Sequence, residues 1–417
     1  MNILFYLHQF PAFGGIETVT VTWANYLAGE GHAVFIRSHV SKETDCAALA
    51  LASSVRADFM PDASRLVSPA NRASLNALVA GSAIDVIVFQ DSYARIEGNL
   101  ADLWGRVPVL VYEHSAPLAP APRRSPLRFS PRALARWLLF PYRRRKYARA
   151  DVLRRQFLYA ACARYVLLSN RFFGEFRARA GLDDWRKLRA LPNPVAPSLL
   201  SAAPVAAKEK LVLCAATLDC AGKGQDLLLQ AWEKIAPRVP DWRLAFAGDG
   251  PDRAKLEAYV RARRIPRVEF LGSVGDMKPL YVRASILAAP SRREGWGLVL
   301  HEAMSQGCVP VVFNSYSAVY DVVQEDVTGL IVPSFDVAAF GEAVARLVAD
   351  PALRARMSEV GRAAVAGFAV AALGPSLERL LAEVASAHTR TISAGPSARR
   401  AGGQGPGRGA SRTRRTR

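Results

Sequence analysis

The sequence predicts an α/β protein made of two doubly wound, parallel-sheet domains with a cleft between them. Short, β-branched, near-continuously apolar runs alternate with longer amphipathic stretches, as expected of strands covered by helices on both faces. A proline-rich break, Leu191-Pro192-Asn193-Pro194-Val195-Ala196-Pro197, followed by small residues up to Lys208, divides the 417-residue chain into halves of ordinary domain size.

In the first half the predicted strands are 3–7, 33–37, 85–89, 107–112 and 165–168. In the second they are 211–216, 243–247, 268–271, 286–289, 309–313 and 329–332. The expected domains are 1–195 and 196–370, followed by a terminal helix over 371–388. A tail over 389–417, rich in Gly, Ser, Arg and Pro and without apolar periodicity, is expected to be disordered.

Apolar residues at 51% and charged residues at 22% exclude a wholly disordered or fibrous chain. The net charge of +19 sits in two places. Residues 123–155 carry twelve Arg or Lys against one acid, Asp151, and the chain beyond Glu383 carries eight Arg and no acid, so the remainder is formally neutral. A nucleic-acid-binding fold is more often basic throughout. Within the first segment the cations mix with Leu127, Phe129, Leu134, Leu139, Phe140 and Tyr142, and Arg132, Arg136 and Arg143 alternate with Trp137 and Leu138 near helical spacing. That composition suits an interfacial helix, with Arg136, Arg143, Arg144 and Arg145 for anionic headgroups and Trp137 for the acyl boundary. At about 1 kcal/mol per cation near an anionic surface, this charge is ample for peripheral attachment. The plainer alternative is a solvated basic helix packed on the core.

Five cysteines (Cys46, Cys162, Cys214, Cys220, Cys308) form no Cys-x-x-Cys pair and read as unpaired thiols in a reducing compartment. The first residues lack a basic n-region and a sufficient apolar run for a signal peptide, and no stretch approaches the ~20 apolar residues that span a bilayer. The expectation is a cytoplasmic protein, peripheral on the inner face of the cytoplasmic membrane.

The most specific local pattern is Glu294-Gly295-Trp296-Gly297-Leu298-Val299-Leu300-His301-Glu302. A strand ends at Pro290, a polar loop with two glycines follows, and a helix then runs to Gln306 with Gly307 as its cap. Gly295 and Gly297 let the backbone approach a ligand, and the Leu298 and Val299 amides at the first helical turn favour an anion such as phosphate. Glu302, four residues after Leu298, shares that face one turn deeper, where a carboxylate accepts bonds from neighbouring hydroxyls of a ribose or sugar ring.

Two glutamates separated by seven residues around Gly-aromatic-Gly resemble the E-x7-E motif of retaining glycosyltransferases of the GT-B fold, notably family 4. Gly14-Gly15-Ile16-Glu17 resembles that family's N-terminal glycine loop, and Glu113-His114 its strand-end histidine. Lys223-Gly224-Gln225-Asp226-Leu227-Leu228 resembles its Lys-Gly segment, and Gly248-Asp249-Gly250-Pro251 and Phe270-Leu271-Gly272 its later nucleotide-side loops. Each match is weak alone; together, in the family's order, they span most of the chain.

The resemblance implies two Rossmann-like domains facing a central cleft, with the C-terminal helix crossing back to the N-terminal domain. It implies transfer of a sugar from a UDP- or GDP-sugar with retention of configuration, to a lipid-linked saccharide or polysaccharide precursor. Glu294, Lys223 and His114 are the implied catalytic residues. Gly14, Gly15, Thr217, Lys223, Gly250, Gly295, Gly297, Leu298, Val299 and Glu302 are the implied donor-binding set. Metal-dependent GT-A enzymes use Asp-x-Asp, which this chain lacks, so neither a metal nor another cofactor is expected, and fixed donors must hold the diphosphate.

One departure stands out. The family places an arginine a few residues before the lysine, where this chain has Thr217. Arg292 or Arg293 is then the candidate second cation, or donor affinity is modest. Plainer readings stand beside the functional ones: Glu302 as a solvated helix residue, Lys223 as a turn cap, His114 as strand-end scaffolding. His8 and Gln9 face the expected cleft without matching a motif, His301 reads as packing, and Trp296 either packs on a sugar or braces the loop. Competing functions are an epimerase or phosphorylase on the same fold, and a nucleic-acid binder acting through the basic segment and Arg/Gly tail. The latter leaves the loop at 294–302 unexplained, and a dehydrogenase would need a Gly-x-Gly-x-x-Gly that Gly14-Gly15 does not supply.

Overall fold

The apolar runs pair into two parallel sheets in the computed structural model, which describes residues 1–12, 14–40, 49–91, 94–117, 139–200 and 207–393. The first sheet contains β1 (Asn2–Gln9), β2 (Ala33–Val40), β3 (Arg56–Phe59), β4 (Val86–Asp91), β5 (Val109–Glu113), β6 (Arg164–Leu167) and β7 (Leu188–Ala190), in the order 3-2-1-4-5-6-7. The second contains β8 (Glu209–Ala215), β9 (Arg243–Ala247), β10 (Val268–Gly272), β11 (Ala284–Ala289), β12 (Val309–Phe313) and β13 (Leu330–Val332), in the order 10-9-8-11-12-13. Strand order reverses between β1 and β4 and between β8 and β11. At such switch points a crevice opens beyond the carboxyl ends of the strands. The turn at Gly14-Gly15 follows β1, and the loop at 290–297 follows β11, so both glycine-bearing segments issue at these crevices.

Two strands were not predicted. All four residues of β3 are exposed, and β7 is only three residues long. Each lies at the edge of its sheet, where pairing on one side does not demand the apolar run that central strands show.

The chain returns to the first domain after the helix Pro351–Val365. Val195 N donates to Phe368 O at 2.8 Å, so the outgoing linker and the returning chain are bonded to each other. The helix Val370–Ser393 then lies on the helix Gly15–Gly29, burying Leu377, Leu381 and Val384. Glu378 accepts from Tyr26 at 3.3 Å and pairs with His32 at 3.2 Å, while Glu383 pairs with Arg189 at 3.1 Å and with Arg164. This helix continues past the expected end at 388: His388 bonds Arg106 O at 2.8 Å, and Thr389 Oγ1 donates to Ala385 O at 3.1 Å.

The basic segment divides. Arg136 and Trp137 lie outside the described residues, as do Cys46 and the tail from 394. The helix Phe140–Ala161 carries Arg143, Arg144 and Arg145 exposed, together with Tyr142 and Tyr147. Arg154 and Arg155 do not belong to that solvated face. Arg154 makes a two-pronged bond to Glu97 at 2.7 and 2.9 Å, and Arg155 reaches buried Glu113 at 2.6 Å, because helix residues one turn further on face the sheet. The four described cysteines, Cys162, Cys214, Cys220 and Cys308, are free and buried.

Candidate active site

A cleft of about 320 Å³ opens between the two domains. Gly15, Ile16, His114 and Asn193 line it from the N-terminal side; Thr217, Lys223, Glu294 and the run Gly295-Trp296-Gly297-Leu298-Val299 line it from the other. Five sequence-distant segments therefore meet at one place, and three of them carry the implied catalytic residues.

The loop at 291–297 is fixed from several directions. Lys223 Nζ donates to Glu294 Oε1 at 2.5 Å, and Ser291 Oγ donates to the same oxygen at 2.8 Å. The backbone amides of Arg292 and Arg293 donate to Gly222 O at 2.8 and 3.1 Å, tying the loop to the turn that presents Lys223. A Cβ on Gly295 would lie 2.0 Å from His114 O, so this glycine permits the loop to touch the opposite domain. Gly297 adopts φ +79° and starts the helix Leu298–Ser305, whose first two residues line the cleft. Gly307, at φ +83°, closes the helix as expected.

His114 follows β5, and its Nε2 is bonded to Gln90 Oε1, on the neighbouring strand β4. Its Nδ1 is buried close to the Asn193 side chain, which partly offsets the effect of burial on the ring. Burial lowers the His114 pKa to about 3, so the imidazole is neutral at physiological pH and offers hydrogen bonding rather than charge.

Other expected site residues fall elsewhere. Glu302 does not line the cleft; its carboxylate accepts from Tyr281 OH at 2.9 Å, and burial raises its pKa above the ordinary carboxylate value. Gly250 does not line the cleft; a Cβ there would lie 2.6 Å from Leu218 O. Gly14 is the extended residue capping the helix Gly15–Gly29, one position before the cleft-lining Gly15. Trp296 is 2% exposed and stacks on His301 at 5.6 Å, with Phe368 at 5.8 Å, so its ring braces the loop against the interdomain crossing. His301 is fully buried there and its pKa falls to about 3. His8 and Gln9 are not in the cleft wall.

The two candidate substitutes for the family arginine separate clearly. Arg292 makes a two-pronged bond to Asp226 at 2.5 and 2.9 Å and also donates to Cys220 O. These bonds hold its guanidinium against the turn and helix that follow β8. The Arg293 guanidinium forms no hydrogen bond or ion pair among the described residues.

Sequence reasoning missed Gln90, Asn193, Ser291 and Asp226. Ser291 stands three residues before Glu294 in the same loop, a usable signal. Gln90 bonds His114 across adjacent strands, and only the register of β4 on β5 reveals that. Among the described residues no group of three His, Cys, Asp or Glu is placed to hold a metal ion, and no helix is long and apolar enough to cross a membrane.

Two family profiles match in tandem: Glycosyltransferase Family 4 over residues 13–199 and Glycosyl transferases group 1 over 200–364. The chain belongs to glycosyltransferase family 4. Its fold is GT-B: the crystal structure of Anabaena HepE (Alr3699) in complex with UDP and glucose superposes with a TM-score of 0.70 at 19% identity, over 92% of this chain and 99% of that one. Among curated family members, the lipopolysaccharide core biosynthesis mannosyltransferase LpcC of Rhizobium leguminosarum bv. viciae is 35% identical over 137 residues, which is 31% of this chain and 39% of that protein. The phosphatidyl-myo-inositol mannosyltransferase of Mycobacterium leprae is 33% identical over 182 residues, 42% of this chain and 48% of that protein. The matched regions span less than half the length of these curated relatives.

Proposed function

We propose that this family 4 protein transfers a glycosyl group from a UDP- or GDP-sugar to a lipid-linked saccharide or polysaccharide precursor, with retention of configuration and without a metal ion. The observation that carries the reading is the Lys223–Glu294 pair, 2.5 Å apart on a loop that Gly295 seats against His114 of the opposite domain. A cation, a hydroxyl-accepting carboxylate and a neutral imidazole thus surround one cleft.

The donor diphosphate takes its bonds from Lys223, the Leu298 and Val299 amides, the loop at Gly15 and the Thr217 hydroxyl. Removing one preorganised donor of this kind typically costs about 2.7–4 kcal/mol in kcat. When phosphate oxygens take the Lys223 ammonium, the Glu294 carboxylate is released to accept from sugar hydroxyls and orient the anomeric carbon. The acceptor oxygen attacks from the face that the diphosphate leaves. The anomeric carbon–phosphate oxygen bond breaks, the new glycosidic bond forms, and the acceptor proton passes to the departing phosphate oxygen. A neutral His114 suits this route, since it is not asked to act as acid or base; it lines the sugar and acceptor side.

The exposed cations and tyrosines of the helix Phe140–Ala161 support attachment to an anionic membrane surface, on the inner face of the cytoplasmic membrane. The names of the lipopolysaccharide-core and phosphatidylinositol relatives support a lipid-linked acceptor. We expect the protein to sediment with anionic vesicles at low salt and to leave them at high salt; indifference to lipid would remove this part.

The test of the catalytic reading uses chelator-treated enzyme with a panel of UDP- and GDP-sugars. Lys223→Ala and Glu294→Ala should each lower turnover at least about 100-fold with an unchanged melting temperature. Wild-type rates in either variant, or a manganese requirement, would refute it.

A further inference from the structure

We infer that Ser291 is the positioning residue of Glu294: its hydroxyl holds one oxygen of that carboxylate when a donor diphosphate draws Lys223 away, and leaves the other oxygen for the sugar. The inference rests on the nucleotide-sugar reading above and adds to it a residue that stands outside the cleft wall.

Both bonds to the Glu294 carboxylate converge on one atom. Lys223 Nζ and Ser291 Oγ donate to Oε1 at 2.5 and 2.8 Å, and among the described residues no donor reaches Oε2. The two donors differ in what happens to them when a ligand enters. The Lys223 side chain is 32% exposed and lines the cleft, so a phosphate oxygen competes for its ammonium. Ser291 is buried and absent from the wall, so its hydroxyl is kept from the ligand. A glutamate with no remaining bond would wander among its rotamers. One oxygen held by a charge-assisted hydroxyl bond instead fixes the direction of the other.

The hydroxyl is itself braced. Just beyond β12, Ser315 Oγ donates to Ser291 O at 2.6 Å. The next residue repeats the arrangement: Tyr316 OH donates to Trp296 O at 3.2 Å, so consecutive residues hold the loop on both sides of Glu294. A serine hydroxyl has a single proton, and here it is committed to Oε1. Oε2 is then the oxygen left to accept from a sugar hydroxyl, the bond that orients the anomeric carbon in the reading above. Lys223 and Ser291 therefore divide the work: the ammonium passes from carboxylate to phosphate, and the hydroxyl stays.

The test is a double-mutant cycle on turnover, run on the chelator-treated full chain with whichever UDP- or GDP-sugar of the panel the wild type consumes. Ser291→Ala should lower kcat about tenfold, the loss expected for one hydrogen bond to a charged group. The matching nucleoside diphosphate should bind within about twofold of wild type in calorimetric titration, because it makes no contact with Ser291 and does not need the carboxylate aimed. In a Glu294→Gln background the same substitution should lower kcat less than about threefold further, since a neutral amide takes a weaker bond from the hydroxyl. A packing defect would instead multiply with the first loss. Wild-type kcat in Ser291→Ala, nucleotide affinity falling in step with kcat, or a further loss of about tenfold in Glu294→Gln would overturn the assignment while leaving the donor reading intact. Wild-type turnover in Glu294→Ala, or a wild type that consumes no sugar nucleotide of the panel, would overturn both.

Discussion

Gly295→Ala separates catalysis from donor binding. The added Cβ would stand 2.0 Å from His114 O, 2.9 Å from His114 C and 3.1 Å from Ser115 Cα, all backbone that no rotamer change can clear. Contacts below 3.0 Å essentially do not occur for a Cβ, so the loop and the end of β5 must part by at least about 1 Å. A misplacement of that size in a reacting geometry costs about 100-fold, or ~2.7 kcal/mol of transition-state stabilisation. Of the groups proposed to hold the diphosphate, Lys223, Thr217 and the Leu298 and Val299 amides belong to the C-terminal domain and the loop at Gly15 alone lies across the cleft, so nucleotide affinity should fall far less than turnover. The assay is steady-state turnover of the sugar nucleotide, paired with calorimetric titration of the matching nucleoside diphosphate. Gly174→Ala, on a helix with open space around the new methyl, is the control and should match wild type. Turnover within about threefold of wild type in Gly295→Ala, or nucleotide affinity falling in step with turnover, would refute the reasoning.

Two further outcomes follow from buried groups. His39, His114 and His301 are buried in the neutral form, with pKa values lowered to about 4, 3 and 3. Their folded values lie below the unfolded ~6.5, so the stability linked to them is complete above that pH and is lost progressively below it. At pH 5 each removes about 2 kcal/mol, and His301→Leu should flatten the fall in urea midpoint between pH 7 and 5; an unchanged slope would contradict this. Gly374→Ala would place a Cβ 2.1 Å from the Tyr26 ring and push the crossing helix off the N-terminal domain. A loss of about 1–3 kcal/mol in urea unfolding is expected, against no loss for Gly29→Ala, whose methyl meets open space.

The central strands were legible because burial on both faces writes an unbroken apolar run. β1, β4, β8, β11 and β12 fall within about two residues of their expected positions for that reason. The edge strands β3 and β7 were not legible, since Arg56-Ala57-Asp58-Phe59 carries no burial pattern to read. Arg154 and Arg155 were counted with the basic segment and not set apart from it, for a related reason. Composition registers a cation but not that Glu97 and Glu113, 57 and 42 residues away in sequence, stand opposite it.

At the site, residue type was legible and partnership was not. Lys223 and Glu294 could be chosen from their motifs, yet that they neutralise each other depends on a contact across 71 residues. Gly295 was read as making room for a ligand, whereas its size is demanded by the carbonyl of His114; unlike Gly297, it does not use the left-handed backbone region. Arg292 and Arg293 are indistinguishable by type and adjacent by position, and a single carboxylate on another segment, Asp226, divides them. Such a division cannot be written locally, because the carboxylate that holds Arg292 lies 66 residues away in sequence. Removing that carboxylate is therefore the sharper perturbation: Asp226→Ala should free the 291–297 loop from the helix after Lys223 and lower turnover in the steady-state assay, and an unchanged turnover would contradict this.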